Sequence, residues 1–239
     1  MILSVIIPTY NEAQTIAELL RRVFAVPVQK EVVVVDDASR DGTTEILRSI
    51  EKDLQRNNGR HPYLTALVLV HKPQNEGKGA AIRTAINYVS GDVVLIQDAD
   101  LELDPQEYTK LLEPMERYGA DVVFGSRFRM EGIKRAYRFW HYAINRAFTL
   151  FSNMLSGLYL TDMWTCYKVF RTPVLKSISI ESNRFGIEPE LVAKVAKQDL
   201  NIYEVGVSYH ARKKSQGKKI GVKDALEALW LIIKFNLLR

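Results

Sequence analysis

The stretch EVVVVDDASRDGTTEIL, residues 31–47, carries a strand, a polar turn and the start of a helix. Its four consecutive valines form a short apolar run of the length that strands have. Asp36 and Asp37 follow the run at once, and a helix is expected to open at Asp41-Gly42-Thr43, with Leu47 on its apolar face. This order indicates the strand–helix unit from which parallel sheets are built.

The same unit recurs along the first half of the chain. Further strand-like runs lie at residues 3–7, 64–70, 92–97 and 120–124, with helical patterns between the earlier ones. Asn11 and Gln14 form a capping-box pattern before the first helix. Another helix is expected to begin at Asp104-Pro105, where Glu107 can complete a cap. Repeated units with right-handed crossovers predict an α/β fold with an open, Rossmann-like, mostly parallel sheet flanked by helices.

The second half of the chain is more mixed. An aromatic and basic stretch over residues 134–160 indicates one or two amphipathic helices. A helix near 188–198, a strand at 202–209, a polar loop at 212–219 and a terminal amphipathic helix over 222–238 follow. No internal repeat or low-complexity tract interrupts the sequence, so a single domain over residues 1–239 is expected.

Composition limits the location and the partners. The single cysteine, Cys166, excludes an internal disulfide and suits a reducing compartment. The N-terminal run MILSVIIP resembles a strand more than a targeting peptide, and no window approaches the roughly 20 apolar residues that span a bilayer. We therefore expect a cytosolic protein. A net charge of +5 favours anionic partners, although a solvated lysine-rich surface gives the same charge.

Polar segments follow the predicted strands at the ends where ligands of open parallel sheets bind. These segments are Pro8–Glu12, Asp36–Asp37, Asn75–Gly79 and Asp98–Glu102. All four are expected to meet at one edge of the sheet.

Asp98, Asp100 and Glu102 alternate along the chain, so an extended segment would place their carboxylates on one side. Such oxygen ligands suit Mg²⁺ or Mn²⁺, and a diphosphate bridged by that ion would complete the site. The alternative is a solvated acidic loop that only caps the helix starting at Pro105. The position at a strand end, beside other polar segments, favours the metal.

Cations are placed to meet phosphate groups. Lys78 lies between two glycines at a helix start, where backbone amides and an ammonium can bind phosphate together, although the small residues there also suit close packing. Arg127 follows a strand. Five further basic residues occupy the polar loop, where the alternative is a solvent-exposed charge run; they are Arg212, Lys213, Lys214, Lys218 and Lys219. No Gly-x-Gly-x-x-Gly follows the first strand, so NAD-type redox chemistry is disfavoured.

In combination, these motifs closely resemble the family 2 glycosyltransferases of the dolichyl or polyprenyl phosphate sugar synthase type. The motifs are residues 5–12 (VIIPTYNE), 35–43 (VDDASRDGT), 75–79 (NEGKG) and 98–100 (DAD), extended by 125–127 (GSR), 161–163 (TDM), 166–171 (CYKVFR) and 217–220 (GKKI). The resemblance therefore covers nearly the whole chain.

This resemblance implies a glycosyltransferase A fold and a role for each matching residue. A nucleotide- and metal-binding half, residues 1–128, would precede an acceptor-binding half with amphipathic helices, residues 129–239. Binding of the nucleotide sugar is implied for Pro8, Tyr10, Glu12, Asp37, Lys78 and Asp98. Metal binding is implied for Asp98, Asp100 and Glu102, phosphate binding for Arg127, Arg212 and Lys218, and a place at the transfer site for Asp100, Asp162 and Arg127. The family often has glutamine where Glu102 stands.

The implied reaction is inverting hexosyl transfer to a lipid phosphate, with Mg²⁺ or Mn²⁺ as cofactor. UDP-glucose or a related sugar is the preferred donor and GDP-mannose the alternative. Because a phosphate nucleophile is already anionic, we expect no essential histidine among His61, His71, His141 and His210. Other readings are a sugar nucleotidyltransferase, a transferase with a non-lipid sugar acceptor, and a non-enzymatic module that binds membrane or nucleic acid. As a transferase, the protein is expected to have no nucleic-acid partner.

Many relatives carry C-terminal membrane spans, which this sequence lacks, so access to a lipid acceptor needs another route. Basic and aromatic residues share one predicted amphipathic segment that suits peripheral contact with the cytoplasmic membrane face; they are Lys134, Arg135, Arg138, Phe139, Trp140, Phe148 and Phe151. Residues 229–238 offer a second such segment. The alternative is that both apolar stripes pack on the sheet or in a homodimer.

Overall fold

A computed structural model describes residues 1–56, 61–129, 139–211 and 222–238. Its centre is a seven-stranded sheet of order β3-β2-β1-β4-β6-β5-β7. The strands are β1 (Leu3–Thr9), β2 (Lys30–Asp36), β3 (Leu64–His71), β4 (Val93–Ile96), β5 (Val122–Ser126), β6 (Lys168–Arg171) and β7 (Ile202–Gly206). The predicted α/β fold with a mostly parallel sheet is confirmed.

The first four strands pair in parallel, with β1 in the middle. Val5 lies opposite Val32 on one side and Leu95 on the other, and all three side chains are buried. Unbroken apolar runs such as these are typical of strands that are covered on both faces. The burial explains why β1, β2 and β4 could be located from the sequence. Strand β3 was also located, although it is more exposed and lies at the edge.

Strand β6 was not predicted from the sequence. This strand runs antiparallel to both β4 and β5, with Val169 opposite Leu95 and Val123. Strand β6 has only four residues, and it begins with Lys168 and ends with Arg171. Its sequence therefore shows neither an apolar run nor a clear alternation of apolar and polar residues. The predicted strand at 202–209 also ends early, at Gly206.

Helices connect the strands. The α-helices in the described residues are α1 (Ile16–Ala25), α2 (Thr43–Arg56), α3 (Lys78–Ile86), α4 (Tyr108–Arg117), α5 (Phe139–Ser156), α6 (Thr172–Ser177), α7 (Ile187–Ala196) and α8 (Val222–Ile233). A 3₁₀ turn at Pro105–Glu107 leads into α4, and a π-helical turn at Lys234–Leu238 extends α8. Helix α3 packs on β1 and β2, and α7 packs against α5 and α8.

The predicted capping box before α1 is wrong. Helix α1 begins at Ile16, after Thr15, and Asn11 instead adopts a left-handed conformation with φ of 54°. The Asn11 side chain accepts a hydrogen bond from the backbone of Arg40, so it joins two loops rather than capping a helix.

At the predicted helix start at Asp104-Pro105, Asp104 is the N-cap and accepts a hydrogen bond from Gln106 N, and only the part assigned to Glu107 is wrong. Glu107 accepts hydrogen bonds from the backbone and hydroxyl of Ser208 and therefore ties the segment after β7 to the start of α4.

Candidate active site

The polar segments meet at one edge of the sheet, as expected. The strands β1, β2 and β4 are parallel neighbours, and β5 has the same direction because two antiparallel pairings through β6 separate it from β4. Their carboxyl ends therefore share an edge. This edge places the segments that follow Thr9, Asp36, Ile96 and Ser126 together.

Asp37, predicted to bind the nucleotide sugar, organises the loop beside it. Its carboxylate is buried and accepts hydrogen bonds from Asn75 Nδ2 at 2.8 Å, from Glu76 N at 3.1 Å and from Gly77 N at 2.7 Å. The ammonium of Lys72 lies 3.1 Å away. Asp37 thus fixes the start of α3 relative to the end of β2.

The neighbouring residue, Asp36, has a different structural role. Asp36 is buried and accepts hydrogen bonds from Ser39 N at 3.1 Å and from Thr44 Oγ1 at 2.5 Å. These bonds hold the turn that leads into α2. Although burial opposes its charge, these bonds lower the pKa of Asp36 below its ordinary value.

The predicted nucleotide-sugar residues of the first segment differ in exposure. Pro8 is buried within β1, whereas the side chain of Tyr10 is 45% exposed at the edge. The carboxylate of Glu12 accepts a hydrogen bond of 2.6 Å from Thr15 Oγ1. Tyr10 is therefore the member of this segment with the most surface available to a ligand.

The acidic segment after β4 is a turn, so the expected extended geometry is wrong. Leu101 adopts a left-handed conformation with φ of 60°, which breaks the alternation between Asp100 and Glu102. Asp100 Oδ1 accepts a hydrogen bond from Glu102 N at 3.1 Å, and Glu102 Oε2 accepts one from the Tyr209 hydroxyl at 2.5 Å. Within the described part of the chain, no three His, Cys, Asp or Glu side chains form a ready cluster for a metal ion.

The chemistry of this turn still fits a metal that is shared with a phosphate ligand. Mg²⁺ is usually held by one or two carboxylates together with substrate phosphates and water, rather than by an all-protein cage. Asp98, whose side chain is 29% exposed, and the partly exposed Asp100 supply such carboxylates at the sheet edge. The third predicted ligand, Glu102, is bound to Tyr209.

Lys78 joins the acidic turn to a distant helix. Its ammonium lies 2.7 Å from Asp98 Oδ1 and 2.9 Å from Glu188 Oε1, and little of the side chain is exposed. Burial alone would lower the pKa of Lys78, but Asp98 and Glu188 raise it well above the ordinary value. The same interaction holds the pKa of Asp98 below its ordinary value, although burial opposes it.

Close packing brings this cation to its partners. A Cβ atom at Gly79 would collide with the carbonyl oxygen of Ser182, and Ala80 N donates a 3.1 Å hydrogen bond to the carbonyl of Asn183. The segment before α7 therefore lies directly on the start of α3. The small residues that follow Lys78 thus serve close packing, which was one of the two roles expected from the sequence.

The second cation of the site is Arg127, directly after β5. Its guanidinium forms a bidentate pair with Asp162, with Nε 2.6 Å from Oδ2 and Nη2 2.8 Å from Oδ1. Arg127 N also donates to Oδ2 at 3.1 Å. Asp162 is fully buried, and although burial opposes the charge, the carboxylate raises the pKa of Arg127. The structure thus joins these two predicted transfer-site residues in one buried ion pair.

A buried glutamate on β7 holds the loop that carries Asp162. Glu204 Oε1 accepts hydrogen bonds from Thr161 N at 2.7 Å and from Asp162 N at 3.2 Å. Glu204 Oε2 accepts one from Thr161 Oγ1 at 2.9 Å. This arrangement fixes the backbone on which Asp162 presents its carboxylate to Arg127.

Tyr209 connects the acidic turn to this ion pair. Its hydroxyl binds Glu102 and hydrogen-bonds to Arg127, and its ring centroid lies 5.1 Å from the guanidinium carbon. Burial, followed by the hydrogen bond to Glu102, raises the pKa of Tyr209. A continuous chain of polar contacts therefore runs from Glu102 to Asp162.

Comparison with known proteins identifies the family. The family model described as glycosyl transferase family 2 matches residues 4–179. The chain belongs to this family. The prediction from the sequence motifs is confirmed.

Two relatives of this family 2 member illustrate the similarity. The chain is 31% identical over 212 residues to the glycosyltransferase AglJ of Haloferax volcanii, covering 87% of this chain but only 63% of the relative. It is 29% identical over 231 residues to the undecaprenyl-phosphate mannosyltransferase of Micrococcus luteus, covering 90% of this chain and 86% of the relative. The chain thus spans less than two thirds of the Haloferax protein.

The fold has close counterparts among solved structures. One is the glucosyl-3-phosphoglycerate synthase of Mycobacterium tuberculosis in complex with Mn²⁺, UDP and phosphoglyceric acid, with a TM-score of 0.71 and 18% identity. The match covers 98% of this chain and 78% of that one. The predicted glycosyltransferase A fold of this family 2 member is confirmed.

Several residues of the candidate site were not assigned to it by sequence reasoning. These are Glu188, Glu204, Tyr209, Cys166 and Lys168, all of which line or support the edge. One available signal was Glu204, a charged residue within the apolar strand pattern that begins at Ile202. For Glu188 there was no such signal, because its partner lies 110 residues away.

Some predicted residues lie outside the part of this family 2 member that the structure describes. They are Arg212 and Lys218, which were predicted to bind phosphate, the neighbouring Lys213, Lys214 and Lys219, and the basic residues Lys134, Arg135 and Arg138.

The amphipathic helices expose large apolar side chains. On α5, Phe139, Trp140 and Met154 are about 70% exposed, and on α8 Trp230 is about half exposed. Phe148, by contrast, packs against the core, so α5 has both a packed side and an exposed one. Among residues 1–56, 61–129, 139–211 and 222–238, no helix has the length and apolar character needed to cross a bilayer.

Proposed function

We propose that this protein transfers a hexose, with inversion, from a nucleotide diphosphate sugar to a polyprenyl or dolichyl phosphate. The observation that carries the proposal is the acidic turn at the carboxyl edge of the sheet, where Asp98 pairs with the ammonium of Lys78 and the partly exposed Asp100 follows it in the turn. Such an edge is where open α/β sheets bind nucleotides. Relatives named as undecaprenyl-phosphate and polyprenol-phosphate sugar transferases support the lipid acceptor.

The donor would lie across the first half of the chain, residues 1–128. The exposed ring of Tyr10, together with Pro8, Glu12 and Asp37, would receive the nucleoside. Asp98 and Asp100 would hold Mg²⁺ or Mn²⁺, which supplies positive charge to a departing diphosphate. Lys78 adds a second cation within reach of the same phosphates.

The acceptor would approach over the second half, residues 129–239. One oxygen of the lipid phosphate attacks the anomeric carbon and forms the new C–O bond, while the bond from that carbon to the diphosphate oxygen breaks. The electron pair leaves with the nucleoside diphosphate. Arg127, held rigid by Asp162, stabilises the negative charge at the transfer site, and Arg212 and Lys218 bind phosphate. The acceptor phosphate is already ionised, so no histidine base is required.

Contact with a membrane would bring the lipid to this site. The exposed apolar residues of α5 and α8, including Phe139, Trp140 and Trp230, have the amphipathic character of helices that lie in a bilayer surface. We infer peripheral binding to the cytoplasmic face of the membrane. The other arrangement for these helices is a homodimer interface.

A transfer assay tests the proposal directly. Purified protein is incubated with undecaprenyl phosphate in detergent and with radiolabelled UDP-glucose or GDP-mannose, with and without Mn²⁺. We expect the label from UDP-glucose to enter the organic phase only with the metal, and the product to have the inverted anomeric configuration by NMR. The Asp100→Asn variant, which keeps the shape but loses the charge, is expected to lose at least about 100-fold in rate.

The other outcomes separate the alternatives. Label that enters only a water-soluble glycoside would replace the lipid acceptor with a small sugar or acid. Transfer from GDP-mannose alone would reassign the donor. A retained anomeric configuration, or transfer that EDTA does not reduce, would contradict the mechanism.

A further inference from the structure

Glu188 occupies an unusual position behind the acidic turn. It is the second residue of α7, its side chain is buried, and Oε1 lies 2.9 Å from the Lys78 ammonium. Its other oxygen, Oε2, is also buried, and no group of the described residues donates a hydrogen bond to it. An unsatisfied carboxylate oxygen in such a place normally has a reason, since burying it without a partner is costly.

A small cavity lies beside this carboxylate. Its volume is about 10 Å³, and its polar lining comes from Lys78, Glu188, Cys166 and Lys168. Such a space is close to the minimum for one water molecule and leaves room for a small displacement of a side chain. Glu188 can therefore accept more than the ion pair with Lys78 that it forms within the described residues.

One ammonium is thus shared between two carboxylates. Asp98 faces the edge where a divalent cation would bind, and that cation would repel the ammonium of Lys78 from the same oxygen atoms. If Lys78 had only Asp98, binding of the metal would leave a buried ammonium without a partner. Removing one partner from a buried ion pair is strongly destabilising, because the other charge stays buried.

We propose that Glu188 is a positioning residue that takes over Lys78 when Asp98 turns to a divalent cation. The free acceptor capacity of Oε2 lets Glu188 hold the ammonium with both oxygens, so Lys78 stays charged and close to the donor phosphates. This inference rests on the proposed function, because it requires a metal at Asp98.

Glu190 provides a matched control on the same helix. It is also fully buried, but its oxygens accept hydrogen bonds from the backbone of Glu181 and Ser182, and its ion pair is with Lys194. Substitution of either glutamate by glutamine removes a buried charge from α7. Of these two glutamates, Glu188 is the one whose carboxylate contacts Lys78.

The test is direct binding of Mn²⁺ in the presence of UDP. The EPR signal of the free ion measures this binding, so no turnover is needed. We expect Glu188→Gln to raise the dissociation constant of Mn²⁺ about tenfold, since Lys78 then competes harder for Asp98. Glu190→Gln is expected to bind Mn²⁺ like the wild type, even if its Tm falls. In a Lys78→Met background, Glu188→Gln should change the constant less than twofold.

Two results would overturn the inference while leaving the proposed function intact. One is a Glu188→Gln protein whose Mn²⁺ affinity equals that of the wild type. The other is a tenfold loss that persists in the Lys78→Met background, which would show that Glu188 acts without Lys78. A wild-type protein that binds no Mn²⁺ with either UDP or GDP would instead contradict the proposed function, and the inference with it.

Discussion

Two buried cations stand at opposite ends of the acidic turn, and their surroundings differ. Lys78 divides its ammonium between Asp98 and Glu188, each through one oxygen. Arg127 gives two of its nitrogens to the two oxygens of Asp162. A bidentate pair fixes a guanidinium in one orientation, whereas a shared ammonium can change partners. The comparison suggests a rigid support on one side and an adaptable one on the other.

The largest expected effect tests the rigid side. Asp162→Asn keeps the shape of the side chain but leaves Arg127 buried without its countercharge, and we expect the free energy of unfolding to fall by about 3 kcal/mol. Urea denaturation monitored by circular dichroism measures this loss. A decrease below about 1 kcal/mol would mean that Arg127 finds another partner and that the pair is not rigid.

The same chemical change on the adaptable side is expected to act on ligand binding instead. Asp98→Asn leaves Lys78 paired with Glu188, so the free energy of unfolding should change by less than about 1 kcal/mol. Stabilisation by Mn²⁺ and UDP, measured as a shift in Tm, should disappear because a metal ligand is lost. A destabilisation as large as that of Asp162→Asn would erase the contrast between the two cations.

A third buried cation, Lys168, has backbone carbonyls rather than carboxylates as its hydrogen-bond partners within the described residues, and its pKa shows the effect of burial. Lys168 donates to the carbonyls of Met163 and Thr165, and burial lowers its pKa to about 8. The unfolded chain therefore binds more protons between this pKa and the ordinary value near 10.5, so stability rises with pH through that window. Below pH 8 both states are protonated and the contribution is constant.

Substitution of this lysine makes the effect measurable. The Lys168 contribution to the unfolding free energy should increase by about 1–2 kcal/mol between pH 8 and pH 10. The Lys168→Met variant should lack this part of the increase, and parallel urea titrations of the two proteins at both pH values isolate it. Equal slopes for the variant and the wild type would show that Lys168 keeps its ordinary pKa.

The smallest expected effect concerns the link between the two sides. Tyr209→Phe keeps the ring beside Arg127 but removes the hydroxyl that binds Glu102, at a cost of about 1 kcal/mol in unfolding free energy. Tyr203→Phe, on β7 and partly exposed beside Tyr118, is the control and should be neutral. Equal stabilities of the two variants would mean that the polar chain from Glu102 to Asp162 is not a structural link.

Local patterns accounted for much of the fold. The valines of β2 and the apolar face of α1 are covered, so their periodicity records their burial directly. Strand β6 escaped prediction because it owes its place to β4 and β5 on either side, and its four residues include Lys168 and Arg171. A signal that comes from tertiary neighbours is invisible in a local pattern.

The residues of the candidate site also divide into those that local sequence patterns located and those that they did not. The acidic turn and Lys78 follow strand ends, so the general rule for parallel sheets located them. The alternation of carboxylates was misleading, because Leu101 turns the chain where an extended segment was assumed. Glu188 and Glu204 act through partners far away in sequence, and only the folded chain brings those partners within hydrogen-bonding distance.

The antiparallel strand β6 also has a consequence for the order of folding. Strands β1 to β4 can join one another in the sequence in which they are synthesised, but β5 pairs with β6 and β7, both of which follow it. On a ribosome, β5 must therefore wait for β6 to dock on β4. The nucleotide side of the edge can form early, while the Arg127 side is assembled last, because β6 and β7 are the last strands to be synthesised.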